Sequence, residues 1–189
     1  MVAGARGARA DLDLRQETRV SLPAHLVTER LLLRPLGAQD EAACVAALAE
    51  FEVVRWLAPV PWPYGAGDFR AFLADPVPAA RWVICRDAAF LGMIGLQGQF
   101  GYWLARPAWG QGFASEAARA VLAAHFADPA ADPVRAGYFE GNARSARVLA
   151  KLGFREIGKT HVHSCALDAV LPHVELKLSR AAFDAACAS

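Results

Sequence analysis

The chain has 189 residues, 55% of them apolar and 21% charged, which suits one globular domain that folds without disulfides or metals and excludes a disordered chain. Its 20 basic residues nearly balance its 19 acidic ones, for a net charge of +1. That excludes a broad nucleic-acid surface but leaves room for a local phosphate site.

Residues 1–24 are Ala/Arg-rich without a steady period and read as an extension to a domain over 25–189. They lack the apolar run of a secretory signal. Leu31–Pro35 reads as a strand, and Asp40–Glu50, with Ala43, Ala47, Leu48 and Phe51 at helical spacing, as a helix. Pro59, Pro61 and Pro63 make Trp56–Gly67 a loop, and a short helix follows over Asp68–Ala74. Trp56, Trp62 and Tyr64 in that loop either line a pocket or cover the core.

Trp82–Cys85 is a strand. Ala88–Ala105 carries no charge and is long enough to cross a bilayer as a helix, but Gly92, Gly95, Gly98 and Gly101 would weaken one. Two strands, Phe90–Leu96 and Gln99–Leu104, joined near Gln97–Gly98, fit better, and no membrane partner is expected. Ala114–Ala127 has a helical period that Pro129 and Pro133 end. Val134–Phe139 is a strand, Asn142 starts a helix that Gly153 stops, and Phe154–His163 and His173–Ser179 are the last strands. This makes one mixed α/β domain of about seven strands and four helices.

The four cysteines, Cys44, Cys85, Cys165 and Cys187, form no C-x-x-C pair, so reduced thiols in a cytoplasmic protein are the simple reading.

Two segments carry chemistry. In the first, a strand over Tyr102–Leu104 runs through Trp109-Gly110-Gln111-Gly112-Phe113-Ala114-Ser115 into a helix. Free N–H groups and a partial positive charge at a helix start, behind small residues, suit a pyrophosphate; a plain strand-to-helix turn would look the same. In the second, Asn142-x-x-Ser145 opens a helix ending in Lys151-Leu152-Gly153-Phe154. Asn142 there reads first as an N-cap, and Arg144 and Arg147 as a solvated face that also reaches a ligand phosphate.

Together these segments resemble the GNAT superfamily of N-acetyltransferases, nearest the branch of the ribosomal-protein N-terminal acetyltransferases. The shared features are Gly101-Tyr102-Trp103-Leu104, the Trp109–Ala114 loop, Ser115-Glu116-Ala117, Asn142-x-x-Ser145 and Lys151–Phe154. Thr28–Pro35 and Val174–Leu178 match the family's first and last strands. The resemblance covers roughly residues 26 to 180. It implies a twisted, mostly antiparallel sheet, acetyl-CoA as donor without a metal, and a homodimer as one arrangement of this branch.

By position, the resemblance implies that the amides of Gly110, Gln111, Gly112, Phe113 and Ala114, with Ser115, hold the pyrophosphate. Trp103 and Leu104 would pair with the pantetheine arm, and one of their N–H groups would polarise the thioester carbonyl. Trp109 and Lys151 complete the cofactor side. Asn142 would hydrogen-bond the pantetheine, and Ser145 would lie near the sulfur and protonate the leaving thiolate. Relatives often carry a Tyr in this helix where Leu149 stands here. No Asp or Glu lies between Phe90 and Arg106 to serve as base, which leaves His161, His163, His173 or water. A metal at His161 and His163 lacks a third ligand.

Two other readings stand beside this one. A non-catalytic acyl-CoA-binding module on the same fold accounts for the missing Tyr and acidic base. A P-loop protein would account for Gly153-x-x-x-x-Gly158-Lys159-Thr160, but that motif needs a strand before it and a helix after it, and here a helix precedes it.

Overall fold

A computed structural model describes residues 22–75 and 80–188; the extension expected over 1–24 lies outside the described residues as far as 21. In chain order, the strands are β1 Leu26–Val27, β2 Leu32–Arg34, β3 Ala80–Arg86, β4 Ala89–Gln97, β5 Gln99–Leu104, β6 Val134–Phe139, β7 Arg155–Ser164 and β8 Ala169–Leu178. The helices are α1 Glu41–Leu48, α2 Phe51–Val54, α3 Ala66–Ala74, α4 Phe113–Phe126, α5 Ala143–Lys151 and α6 Arg180–Cys187. The sheet order is β1-β2-β3-β4-β5-β6-β8-β7. Among the described residues only the β5–β6 pair is parallel.

This is the expected mixed α/β domain, with eight strands among the described residues rather than about seven and six helices rather than about four. The additions are β1, α2 and α6. The first two span a few residues each and show no readable period. The third lies past the last strand, where Ser179 caps it by accepting from Ala182 N at 3.3 Å. β8 begins four residues before the expected His173. Pro172 ends no strand because the ladder to β6 is already finished at Phe139↔His173, while its register partner His161 continues the hairpin. The end of the expected extension also touches the fold: Leu22 packs on the core, and Pro23 O accepts from Trp82 Nε1 at 3.2 Å.

Alternation along β3, β4 and β5 splits the apolar side chains between two layers. Trp82, Ile94 and Phe100 face α4 and α5, where they meet Ala117, Val121 and Leu149. Met93 and Trp103 face α1–α3, where they meet Cys44, Leu48 and Phe69. A Cβ on Gly92 would collide with Trp103 O, so β4 passes close to β5 only because that residue is glycine. One residue before it the β3–β4 ladder slips register, and Leu91 O accepts from Ala105 N at 2.8 Å.

The consequence for function lies between β5 and β6. Their ladder has one register pair, Phe100↔Ala136. β5 continues paired to β4 as far as Leu104, and β6 continues paired to β8 as far as Phe139. Beyond Phe100 the two strands therefore diverge, and their facing edges open a slot in the middle of the sheet.

Candidate active site

A cleft of about 800 Å³ passes through this slot. On the α4–α5 side its mouth is the loop that starts α4. Gly110 and Gly112 hold φ of 76° and 81°, left-handed values that favour glycine. Gly112 is the N-cap and no side chain caps the helix, so the first-turn N–H groups of α4 remain available to an anion. A Cβ on Gly110 or on Gly101 would meet nothing within 4 Å; the backbone there is open to close approach.

The loop is held from behind. Glu116 accepts from Thr28 Oγ1 at 2.6 Å, from Arg30 N at 2.9 Å and from Arg30 Nε at 2.7 Å. Burial alone would raise its pKa, but these donors bring it below the ordinary glutamate value. Arg30 Nη1 also donates to Gln111 O at 3.1 Å. Trp109 Nε1 donates to Leu104 O at 2.8 Å, tying the loop to the strand that feeds it.

α5 forms the opposite wall. Asn142 Oδ1 accepts from Ser145 N at 3.2 Å, the N-cap expected from the sequence. Ser145 Oγ accepts from the phenol of Tyr102 at 3.3 Å. Tyr102 lies two residues before Leu104, on the same face of β5, and burial raises its pKa. In the sequence Tyr102 stands out only as part of a motif. The signal for its place is strand alternation, which aims it with Leu104 toward α5.

Of the residues expected on the cofactor side, Trp103, Leu104, Trp109, Gly110, Gly112, Phe113, Ala114, Ser115, Asn142, Ser145 and Lys151 all border the cleft. Gln111 does not, because its side chain turns away to donate to Pro107 O at 2.8 Å. Phe113 is 2% exposed and lies in the core with Arg30 above its ring. Arg144 and Arg147 are exposed as expected, yet both border the cleft with Lys151, and Arg144 stacks 4.4 Å from the Trp109 ring. Three cations thus stand on one stripe of α5 facing the α4 loop.

The histidines separate. His161 and His163 are on β7, the outermost strand; both are exposed, and His163 meets Asp168 at 3.2 Å. His173, on β8 opposite Phe139, is half-buried and borders the cleft. Its Nδ1 is buried without a hydrogen-bond partner. Burial lowers its pKa below the ordinary 6.5, against a smaller opposing pull from Glu175.

The Pro-rich loop divides too. Trp56 borders the cleft, Tyr64 is buried beside Cys44, and Trp62 is 47% exposed with Nε1 donating to Ala49 O at 3.3 Å. Ala58 borders the cleft, and its O accepts from Cys165 N at 2.9 Å, which ties the loop to the β7–β8 turn. The Gly153–Thr160 string forms no phosphate loop: Gly153 follows α5 and the next residues are strand β7. Among the described residues no group of three His, Cys, Asp or Glu is placed to hold a metal, and no helix is long and apolar enough to cross a membrane.

Comparison with known proteins matches residues 30–155 to the family model described as an acetyltransferase (GNAT) domain. An uncharacterized N-acetyltransferase of Bacillus subtilis (strain 168), YoaA, is 28% identical over 155 residues, 70% of this chain and 84% of that protein. Among solved structures, Mycobacterium smegmatis RimJ in complex with CoA-disulfide superposes with a TM-score of 0.67 at 22% identity, covering 80% of this chain and 82% of that one. A ribosomal-protein-S5-alanine acetyltransferase from Vibrio fischeri superposes at 0.68 and 17% identity, covering 82% of this chain and 96% of that one. At these identities the structural likeness carries the fold.

Proposed function

The chain belongs to the GNAT family of acetyltransferases, and we propose that it moves an acetyl group from acetyl-CoA directly onto a primary amine, on a protein N-terminus or a small molecule. One observation carries this reading: a slot between two diverging strands leads from an uncapped helix start to a histidine with a free ring nitrogen. The residues present fit the donor. The open backbone at Gly110 and Gly112 and the first turn of α4 take the pyrophosphate, with Ser115 beside them. Arg144, Arg147 and Lys151 supply charge for the remaining phosphate. The unpaired edge of β5 at Trp103 and Leu104 takes the pantetheine arm as an added strand, and Asn142 borders the same path.

When bound, acetyl-CoA supplies an activated acyl group. This chain's residues then have three tasks. An N–H of Trp103 or Leu104 donates to the thioester carbonyl as charge builds on it. His173, kept neutral near pH 7 by burial, takes a proton from the acceptor ammonium. Ser145 Oγ gives a proton to the departing sulfur, and the hydroxyl of Tyr102 stands behind it to restore that proton.

A second reading, a non-catalytic acyl-CoA-binding module, is favoured by one observation: no carboxylate borders the cleft among the described residues. Thermal-shift titrations with acetyl-CoA, free CoA and Mg-ATP, followed by turnover with a panel of amines, separate the readings. A ligand at about 100 times its Kd adds about 2.7 kcal/mol of stability. A shift with acetyl-CoA and amine-dependent release of CoA supports transfer. A shift without turnover supports the binding module, and a shift with Mg-ATP alone overturns both.

A further inference from the structure

The acceptor half of the cleft has a chemistry of its own, and its meaning rests on the acetyl-transfer reading. It lies on the α1–α3 face of the sheet. Its floor is the register row Arg81↔Gly95↔Gly101 across β3, β4 and β5, continued across the slot by Gly137 on β6. Its walls are apolar, with Trp56, Val60, Phe72 and Met93 among them. The bond from Cys165 N to Ala58 O ties the Ala58 wall to the β7–β8 turn. A slender molecule can follow this floor between those walls.

Charge narrows the class. No Asp or Glu borders the cleft among the described residues, so the lining offers a second cation on the acceptor no carboxylate to pair with. At the end away from His173, Arg81 borders the cleft, its guanidinium 4.3 Å from the Phe72 ring. Its Nη2 donates to Asp75 O at 3.2 Å, while its Nη1 is buried with no hydrogen-bond partner. A buried, unpaired guanidinium donor is costly unless an acceptor reaches it.

We infer that the acceptor is a slender, apolar small-molecule amine bearing a carboxylate, with its amine at His173 and its carboxylate at Arg81. His173 lies over Gly137 on β6, three strand spacings from β3, about 14 Å. The Arg81 side chain and a hydrogen bond at each end take up part of that span, so amine and carboxylate are separated by roughly one to two strand spacings, about 5–10 Å. The two groups are therefore several bonds apart rather than on one carbon.

The test is competitive turnover of three matched acceptors: ε-aminohexanoate, ε-aminohexanamide and the corresponding diamine, with γ-aminobutanoate as the short control. The expected kcat/KM favours ε-aminohexanoate over the amide and the diamine by about tenfold or more, the scale of one charged hydrogen-bonded contact. In Arg81→Gln the carboxylate-to-amide ratio falls to near one; Arg81→Lys keeps part of it. Equal rates for carboxylate and amide, preference for the diamine, or a ratio unchanged in Arg81→Gln overturns the assignment. The wild-type ratios decide it even where a variant does not fold. Acetyl-CoA binding with no acetylation of any carboxylate-bearing amine also overturns it. Failure of acetyl-CoA itself to bind overturns the transfer reading instead.

Discussion

Gly137 and His173 occupy one space: a Cβ on Gly137 would collide with Cε1 of the His173 ring and come within 2.9 Å of Val174 O. β6 carries glycine there so that the imidazole of β8 can lie over it and face the slot. Gly137→Ala should therefore displace the proposed base. The expected result is a fall in kcat of about a hundredfold, the scale of a lost general base, with acetyl-CoA affinity unchanged. Steady-state kinetics beside a binding titration check it. Wild-type kcat in a folded Gly137→Ala protein would remove His173 from the mechanism.

The lowered pKa of His173 fixes the sign of two pH effects. If the neutral ring is the base, kcat/KM rises with pH and levels off above a pKa below 6.5, and this limb is lost in His173→Gln. Stability moves the same way. The unfolded chain binds the proton more readily than the fold does, so the folded state loses stability as pH falls below about 6.5. The loss is complete below the folded-state pKa. Melting curves from pH 7.5 to 5 on wild type and His173→Gln measure the difference; equal slopes would contradict it.

Ser145 and Tyr102 act as one unit in this account, because the phenol reaches the reaction only through the serine hydroxyl. Ser145→Ala and Tyr102→Phe should each lower kcat by about ten- to a hundredfold, with little change in KM for acetyl-CoA. The double variant should be no slower than Ser145→Ala alone. Multiplicative losses in the double variant would show that the two side chains act separately.

The α4 loop makes a separable prediction. Gly112 has φ of 81° and its would-be Cβ stands 3.5 Å from Arg30 Nη2, so Gly112→Trp combines backbone strain with a blocked anion site. Glu116→Ala frees Arg30 and Thr28 and loosens the same loop from behind. Both should raise the Kd for acetyl-CoA, Gly112→Trp by a hundredfold or more on the scale of about 3 kcal/mol. Calorimetric titration reads this directly. An unchanged Kd in Gly112→Trp would move the pyrophosphate site elsewhere.

How much of this is legible in the sequence depends on the range of each signal. α4 and α5 are readable because their starts and stops are local: Asn142 and Gly153 bracket α5, and Pro129 follows α4. Ser145 and the glycine loop are readable because they lie in short, ordered motifs. The place of His173 at the cleft, apart from His161 and His163, is not. It depends on β8 lying inside the sheet and β7 at its edge, a consequence of strand order rather than spacing. Tyr102 escapes sequence reasoning because its partner is 43 residues away. Arg81 escapes it because nothing local distinguishes that residue; the paired strands alone align it with Gly95 and Gly101.

The central claim is transfer to an amine, and one measurement meets it most directly: free thiol released from acetyl-CoA, counted against acetylated amine identified by mass spectrometry in the same reaction. The account predicts release that requires both protein and amine, one acetylated amine per thiol. Bound acetyl-CoA with no amine-dependent release, or thiol released as free acetate whatever amine is present, would contradict it.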